Sequence, residues 1–133
     1  MTKYLLDTNI CVFIMRGMHN LAEKLQAVGI ENCCISEITL LELLYGAECS
    51  NRPGNIHYVI REFCKRIEVI PISNSLFEFA QQKAMLRKKG TPIDDFDLLI
   101  ASCAIVNNLI IVTDNLKHFN RIPSMNIQNW VER

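Results

Sequence analysis

Four acidic residues occupy places in this 133-residue sequence where a carboxylate could do chemistry. Asp7 and Asp114 each follow a short apolar run, whereas Glu42 and Asp97 lie inside apolar stretches with helical spacing. Several carboxylates in one pocket repel one another unless a divalent cation holds them together, and oxygen-only ligands select Mg²⁺ or Mn²⁺ over Zn²⁺. Such a cation activates water and stabilises in-line displacement at a phosphodiester. We therefore take these four acids as candidate catalytic residues.

Glu42 is the most informative of the four. Helical spacing places it on one stripe with Ile38, Leu41 and Tyr45, which would be an apolar face. A carboxylate on such a face is costly unless a cation or hydrogen bonds compensate. The alternative is a surface glutamate at the edge of that stripe.

Asp97 repeats this anomaly on a later helix. It shares a face with Ile100 and Ala101, and it lies in the first turn, where the helix dipole favours negative charge. The dipole explains part of its placement but not the apolar face. Asp94 and Asp95 lie nearer the helix start, so we expect them to be caps or rim residues.

The two acids at strand ends carry less information individually. Asp7 could simply cap the helix that follows it, a role that Thr8 or Asn9 could fill as well. Asp114 follows the most strand-like run of the chain, and it would face Asp7 if that strand lies next to the first one.

The elements that must position these acids alternate between short apolar strands and helices, which indicates a parallel sheet covered on both faces. In such sheets the active site lies beyond the carboxyl ends of the strands. The predicted strands are Tyr4–Leu6, Cys33–Ile35, Val69–Ile70, Leu109–Val112 and one around Asn126–Ile127. The predicted helices are one directly after Asp7, Leu21–Val28, Glu37–Glu48 capped by Ser36, Ile56–Lys65, Leu76–Lys89, one from Asp94 or Asp95 to about Asn107, and Leu116–Phe119, with residues 51–55 as a loop.

Charge and cysteine content favour a cytoplasmic protein without naming a ligand. The 14 basic and 14 acidic residues balance, and the six cysteines lack zinc-site spacing, so we expect reduced and mostly buried thiols. No signal peptide or membrane span is visible. The basic residues form clusters that could hold a polyanion near a metal, although the second cluster could equally be a solvated helix face. The clusters are Arg61, Lys65 and Arg66; Lys83, Arg87, Lys88 and Lys89; and Lys117 with Arg121.

In five places the sequence resembles the VapC toxins of the PIN-domain family. The motifs span the chain in that family's order, so together they are specific although each alone is weak. They are Leu6–Ile10 (LDTNI), Ser36–Gly46 (SEITLLELLYG), Asp97–Ala101 (DLLIA), Val112–Asn115 (VTDN) with Phe119 following, and Ile127–Trp130 (IQNW).

The resemblance implies an α/β PIN fold, a three-layer sandwich with a five-stranded parallel sheet between helices, in a single domain over residues 1–133. It also implies a Mg²⁺-dependent endoribonuclease for which Mn²⁺ can substitute. By this resemblance Asp7 and Asp97 are the metal ligands, and Glu42 helps to orient the attacking water. The residues that would position carboxylates or phosphate are Thr8, Asn9 and Asn115.

One position departs from the family. Many relatives carry an acidic residue directly before the phenylalanine of the fourth motif, and this chain has His118 there. Asp114 could supply the missing carboxylate, so the number of metal ions stays open.

The resemblance further implies the toxin of a type II toxin–antitoxin pair. Its partners would be a second copy of the chain, a VapB-type antitoxin whose C-terminal segment enters the active-site groove, and operator DNA only through that antitoxin. The implied substrate is structured RNA such as tRNA, including initiator tRNA, and no membrane is involved.

Two other functions must be compared with this one. A phosphoacceptor receiver domain needs an acidic pair after the first strand and an aspartate after the third. Here Thr8 follows Asp7, and Pro71 follows the third strand. A catalytically inactive PIN-like module acting through its antitoxin would have the same fold, but the presence of all the core acids argues against it.

Overall fold

The computed structural model describes residues 3–123 and 125–133. In these ranges five short strands alternate with seven α-helices, and two short 3₁₀ helices cover Ile30–Asn32 and Ser73–Ser75. The strands are β1 (Tyr4–Leu6), β2 (Cys33–Ser36), β3 (Glu68–Ile70), β4 (Ile110–Val112) and β5 (Ile127–Gln128). The α-helices are α1 (Thr8–Met15), α2 (Leu21–Val28), α3 (Glu37–Glu48), α4 (Pro53–Cys64), α5 (Leu76–Lys89), α6 (Asp95–Val106) and α7 (Leu116–Phe119).

The five strands form one parallel sheet in the order β3-β2-β1-β4-β5. β1 is the central strand, and its Tyr4 pairs with Cys33 of β2 on one side and Ile110 of β4 on the other. The predicted sheet is confirmed, including the adjacency of the first strand and the strand before Asp114. The chain runs outward from β1 through β2 to β3 and then crosses back to β4 on the other side of β1, so the strand order reverses there and a crevice is expected beyond the carboxyl ends of β1 and β4.

Side chains of the sheet alternate between two hydrophobic cores, one on each face. Leu5 belongs to the core formed with α5, α6 and α7, whereas Leu6 belongs to the core formed with α1, α2 and α4. Both leucines are completely buried, as expected for a central strand covered by helices on both faces. Helix α3 contributes to both cores through Ile38 and Leu43. The predicted three-layer architecture is therefore confirmed.

One predicted helix boundary is wrong. Helix α4 begins at Pro53 rather than at Ile56, so part of the predicted loop is helical. Proline suits the first helical position because its φ angle is already helical and its missing N–H would have no partner there. The start of α3 is as predicted: Ser36 ends β2, and its hydroxyl accepts the amide of Ile38 at 3.0 Å.

The apolar content of the chain fills its interior. No helix in the described part of the chain is long and apolar enough to cross a membrane.

All six cysteines are free, and four of them are buried, as predicted. Cys49 is exposed and Cys64 is partly exposed, although both lie in mixed apolar sequence. Burial raises the pKa of Cys34 to about 12, so this thiol stays protonated and packs as an apolar group.

Candidate active site

Asp7 lies at the carboxyl end of β1, where only 2% of the residue is exposed. Its amide donates to the carbonyl of Val112 on β4 at 2.9 Å, so the sheet pairing extends one residue beyond the strand. Its Oδ1 accepts the amide of Thr8 at 2.8 Å, and its Oδ2 accepts the hydroxyl of Thr113 at 2.7 Å. Asp7 is therefore the N-cap of α1 and a buried acid at once, so its two interpretations are compatible.

Burial raises the pKa of Asp7 from 3.8 to about 6. The hydrogen bonds from Thr113 and Thr8 oppose this shift, while the negative charges of Asp97 and Glu42 add to it. The three acids are thus close enough to influence one another's ionisation. A buried carboxylate surrounded by like charges needs a cation to stay ionised without cost, and such groups are concentrated at functional sites.

Glu42 on α3 is linked to the same edge of the sheet by Thr8 on α1. The Thr8 hydroxyl donates to Glu42 Oε1 at 2.6 Å, and it lies 3.2 Å from the hydroxyl of the completely buried Thr39. Because the Thr8 hydroxyl has one proton, Thr39 must be the donor in the second contact. Burial raises the pKa of Glu42, the charges of Asp97 and Asp94 raise it further, and the bond from Thr8 opposes the shift.

The helix face around Glu42 is less buried than predicted. Ile38 is buried, but Leu41 and Tyr45 are 48% and 70% exposed. Glu42 lies at the boundary between core and solvent, because the stripe that looks apolar in sequence runs out of the core toward Tyr45. Its link to Thr8, rather than a wholly apolar face, places Glu42 in the site.

Asp97 lies in the first turn of α6, above the buried Ile100 and Ala101, as predicted. Its side chain is 18% exposed. Its Oδ2 lies 2.9 Å from His118 Nδ1 and accepts the Asn115 amide at 3.4 Å. His118, the position at which the fourth motif departs from the family pattern, is therefore the nearest hydrogen-bond partner of the Asp97 side chain.

The two acids before Asp97 have the structural roles predicted for them. Asp94 is the N-cap of α6, and its Oδ2 accepts the amides of Phe96 and Asp97. Asp95 is exposed and forms an ion pair of 3.1 Å with Lys83 on α5. Asp94 still contributes negative charge near Glu42, since it raises the pKa of that residue.

The structure does not bring Asp114 into contact with the other three acids. Although β1 and β4 are neighbours, Thr113 is the residue that contacts Asp7, and Asp114 turns away from it. Asp114 Oδ2 accepts from Arg133 at 2.6 Å, and its Oδ1 accepts from Arg133 at 3.0 Å and from Asn129 at 3.1 Å. The hydrogen bonds from Arg133 lower the pKa of Asp114 to about 2. Adjacent residues after a strand point to opposite sides, so only one of Thr113 and Asp114 could face Asp7.

Two of the three predicted positioning residues contact the acids. Thr8 binds Glu42, and Asn115 binds Asp97, whereas Asn9 is exposed on α1 beside Thr8. Sequence reasoning missed the contributions of Thr113 and Thr39, which are completely buried. The available signal was a threonine directly after the apolar β4, where its hydroxyl had to find a partner.

The donors at this edge of the sheet fit a hard divalent cation. Asp7, Glu42 and Asp97 supply carboxylate oxygens, and hydroxyl groups surround them. Among the described residues, no three His, Cys, Asp or Glu side chains are grouped closely enough to enclose an ion. An open set of donors is what Mg²⁺ requires, because it keeps several waters and takes only one or two protein carboxylates.

An apolar groove leads away from the acids between α1, α3 and α4. It has a volume of about 250 Å³ and contains Glu42 in its lining. Arg16 is the one basic residue that lines it. The apolar side chains of the lining are Val12, Met15, Leu43, Ile56, Val59 and Ile60.

Comparison with known proteins identifies the family of this chain. The model of the PIN domain family matches residues 4–124. The "tRNA(fMet)-specific endonuclease VapC" of Salmonella typhimurium is 37% identical over 131 residues, which are 98% of this chain and 99% of that protein. The "Ribonuclease VapC2" of Rickettsia felis is 38% identical over 130 residues, which are 96% of this chain and 97% of that protein.

A solved structure shows the same fold. The chain is similar to one in the crystal structure of DNA-bound VapBC from Salmonella typhimurium, with a TM-score of 0.91 and 38% identity over 98% of this chain and 99% of that one. The family match, the full-length relatives and this structure agree with the resemblance that the motifs indicated. The chain therefore belongs to the PIN domain family and, within it, to the VapC proteins.

Proposed function

We propose that this protein is the toxin of a type II toxin–antitoxin pair and acts in the cytoplasm as a Mg²⁺-dependent endoribonuclease. The observation that carries this proposal is the group formed by Asp7, Glu42 and Asp97 at the carboxyl ends of β1 and β4. Thr8 links two of the acids, since its amide binds Asp7 and its hydroxyl binds Glu42. The turn of Thr113 and Asn115 links the third, since Thr113 binds Asp7 and Asn115 binds Asp97. The relatives bear the names of a ribonuclease and an endonuclease, which supports the same activity.

Asp7 and Asp97 are the residues that would hold the cation. Mg²⁺ or Mn²⁺ bound there would supply Lewis-acid activation of water and neutralise charge on the phosphate. Thr113 and the Thr8 amide fix the orientation of the Asp7 carboxylate, and His118 with Asn115 does the same for Asp97. Polar partners of this kind set ligand orientation in metal sites.

Glu42 is the group we assign to the attacking water. Its Oε1 accepts the Thr8 hydroxyl, which leaves Oε2 available to a water molecule. Its raised pKa makes it a better proton acceptor than an ordinary glutamate near neutral pH. Asn115 and Asn9 carry amide groups that could donate to phosphate oxygens, which remains a prediction for both.

We take tRNA as the substrate class, with initiator tRNA as the first candidate because the Salmonella relative is named for it. Exposed aromatic residues flank the acids: Phe96, directly before Asp97, is 41% exposed, and Tyr45, one turn after Glu42, is 70% exposed. Aromatic rings in such places stack on unpaired bases. A single-stranded loop of the RNA is therefore favoured over a helical stem.

The apolar groove beside Glu42 is our proposed site for a VapB-type antitoxin. A segment with an apolar face would cover Val12 and Val59 and block access to the acids at once. The similar Salmonella structure is a VapBC complex bound to DNA, which supports an antitoxin partner and DNA binding through it. We also propose a homodimer, because Leu76 and Phe77 at the start of α5 are 54% and 74% exposed.

Cleavage of a total tRNA pool by purified, antitoxin-free protein tests the proposed activity. Reactions should contain Mg²⁺, Mn²⁺ or EDTA, with Asp7→Asn as the inactive variant and Glu68→Gln as a control at the opposite end of the sheet. We expect discrete fragments that need the metal, appear with Glu68→Gln and disappear with Asp7→Asn. Fragments that persist in EDTA or with Asp7→Asn would contradict the proposal. Absence of cleavage, together with no metal-dependent rise in melting temperature, would indicate an inactive binding module.

A further inference from the structure

The segment after β5 binds Asp114 through Asn129 and Arg133. Asp114 lies between Thr113 and Asn115, which contact the acids of the site. Asp114 receives three hydrogen bonds from this segment, two from the Arg133 guanidinium and one from the Asn129 amide. The arginine bonds reach both carboxylate oxygens, at 2.6 and 3.0 Å, which is the strong two-pronged geometry of arginine with a carboxylate. We call Asp114, Asn129 and Arg133 the clasp.

The turn held by the clasp carries a contact to each proposed metal ligand. On one side of Asp114, the Thr113 hydroxyl donates to Asp7 at 2.7 Å. On the other side, the Asn115 amide donates to Asp97 at 3.4 Å. The same Thr113 oxygen accepts the backbone amide of Asn115 at 2.9 Å, so the two contacts belong to one hydrogen-bonded turn. Displacement of this turn would therefore disturb Asp7 and Asp97 together.

The segment that supplies the clasp is itself anchored. Asn129 uses both ends of its amide, since Nδ2 donates to Asp114 and Oδ1 accepts the Val131 amide at 2.9 Å. Trp130 is 6% exposed, and its ring packs edge-on against Tyr4 of β1 with centroids 5.2 Å apart. The carbonyl of Gln128 also accepts the Thr113 amide at 3.0 Å. The clasp therefore connects the turn to a segment that is itself attached to the sheet.

We propose that Arg133 and Asn129 are positioning residues for the ribonuclease reaction, acting through Asp114 on Thr113 and Asn115. This inference rests on the proposed function. It gives Asp114 a role different from the direct catalytic one expected from sequence: its carboxylate faces Arg133, and it holds the turn instead of the cation.

The clasp contributes more to geometry than to stability. The Arg133 side chain is 62% exposed and that of Asp114 is 18% exposed, and ion pairs with such exposure add little to folding free energy. Small displacements of groups around a reacting centre can still lower the rate by up to roughly 100-fold. Loss of the clasp should therefore change kcat much more than it changes the melting temperature.

A double-mutant cycle with Asp114→Asn, Arg133→Gln and the double variant tests the proposal. We expect each single variant to lower kcat by about 3-fold to 100-fold, the range that misplacement allows. The double variant should be no worse than either single variant, because each change breaks the same link. KM and melting temperature should change little, and Arg133→Lys should restore part of the rate. The matched control is Lys3→Gln, which breaks the exposed 3.2 Å pair with Glu68 at the other end of the sheet.

Two outcomes would contradict the proposed positioning role of the clasp. One is a large loss with Asp114→Asn and none with Arg133→Gln, which would restore Asp114 as a direct catalytic residue. The other is wild-type kcat in all three variants.

A second measurement does not depend on cleavage. Hydrogen exchange of the Asn115 backbone amide should accelerate in Arg133→Gln but not in Lys3→Gln, since that amide closes the turn on Thr113. Unchanged exchange would also reject the proposal. If the wild-type protein fails to cleave RNA, the exchange result still decides on the clasp separately from the proposed function.

Discussion

Asp7 is the residue at which folding and the proposed chemistry are most closely coupled. Its two oxygens accept the Thr8 amide at the start of α1 and the hydroxyl of Thr113, so this carboxylate also has a structural role in the fold. Burial and the neighbouring charges of Glu42 and Asp97 nevertheless make its ionised form costly. The residue is thus retained at an energetic cost that a bound cation would offset.

The Asp7→Asn variant should be more stable than the wild type when metal is absent and the pH is neutral. The pKa of Asp7 is raised from 3.8 to about 6, so ionisation disfavours the folded state above that range. At about 1.4 kcal/mol per pH unit, the gain in unfolding free energy is at most roughly 3 kcal/mol at pH 7.5. It should shrink as the pH falls through 6 toward 4, because the wild-type carboxyl then becomes protonated.

Denaturant unfolding in EDTA at pH 7.5 and pH 4 checks this prediction. Asparagine keeps one oxygen for the Thr8 amide, but its NH₂ group cannot accept the Thr113 hydroxyl, so the variant removes the charge together with that hydrogen bond. A variant that is less stable than the wild type at both pH values would show that the hydrogen bond from Thr113 outweighs the burial cost. Added Mn²⁺ should raise the melting temperature of the wild type and leave that of Asp7→Asn nearly unchanged.

The elements of this fold were more predictable than the orientations of individual side chains. Continuous apolar runs such as Tyr4–Leu6 indicate buried parallel strands, because a strand that helices cover on both faces has apolar side chains on both sides. The start of α4 was missed because Pro53 and Gly54 are turn residues in most contexts, and proline also suits a first helical position. For the candidate site, the sequence predicted the positions of Asp7 and Asp97 in the fold, but which of Thr113 and Asp114 faces Asp7 depends on the path of the chain after β4. That path is set by hydrogen bonds to Gln128, Asn129 and Arg133. A local sequence pattern around β4 does not show these contacts.

At the scale of elements, the packing of α3 against α4 forms the apolar groove. The groove side and the outer side of α4 can therefore be tested separately for antitoxin binding. Val59→Asp should weaken binding of the antitoxin, because it places a charge among apolar groove residues. We expect the dissociation constant to rise by at least about 10-fold, which corresponds to roughly 1.4 kcal/mol, with kcat for RNA unchanged. Isothermal titration calorimetry with the proposed VapB-type antitoxin measures this.

Tyr58→Asp is the matched control for the groove. Tyr58 precedes Val59 on α4 and is 60% exposed, but it is not part of the groove lining. Equal weakening by the two variants would indicate that the antitoxin binds the outer surface of α4 instead.

For the whole molecule, zero net charge conceals a separation of charges. Asp7, Glu42 and Asp97 lie at one edge of the sheet, while Lys83 and Arg87 on α5 line a cavity with Pro92 and Leu98 near the start of α6. Lys83 also pairs with Asp95 there. A substrate phosphate chain could therefore contact basic residues while its scissile bond lies at the acids.

Arg87→Gln should weaken RNA binding uniformly and lower the salt slope. One lost phosphate contact changes the slope of log affinity against log salt by about 1. Binding should be measured with the Asp7→Asn background, so that RNA stays intact, by fluorescence anisotropy over a range of salt. Lys65→Gln on α4, where Lys65 pairs with Glu62, is the control. A loss of the same size in both variants would mean that no particular basic surface guides the RNA.

The hydrogen bond between Asp7 and Thr113 joins residues that are 106 positions apart. During synthesis, β1 leaves the ribosome long before its neighbour β4 and the turn that carries Asn115, because Thr113 follows Asp7 by 106 residues. A partly synthesised chain thus contains Asp7, Thr8 and Glu42, but it lacks the Thr113 hydroxyl that binds Asp7 and the Asn115 amide that binds Asp97. A ribosome making this protein works with tRNA throughout, and it would be exposed to an assembled nuclease only after the turn that carries Thr113 and Asn115 has been made.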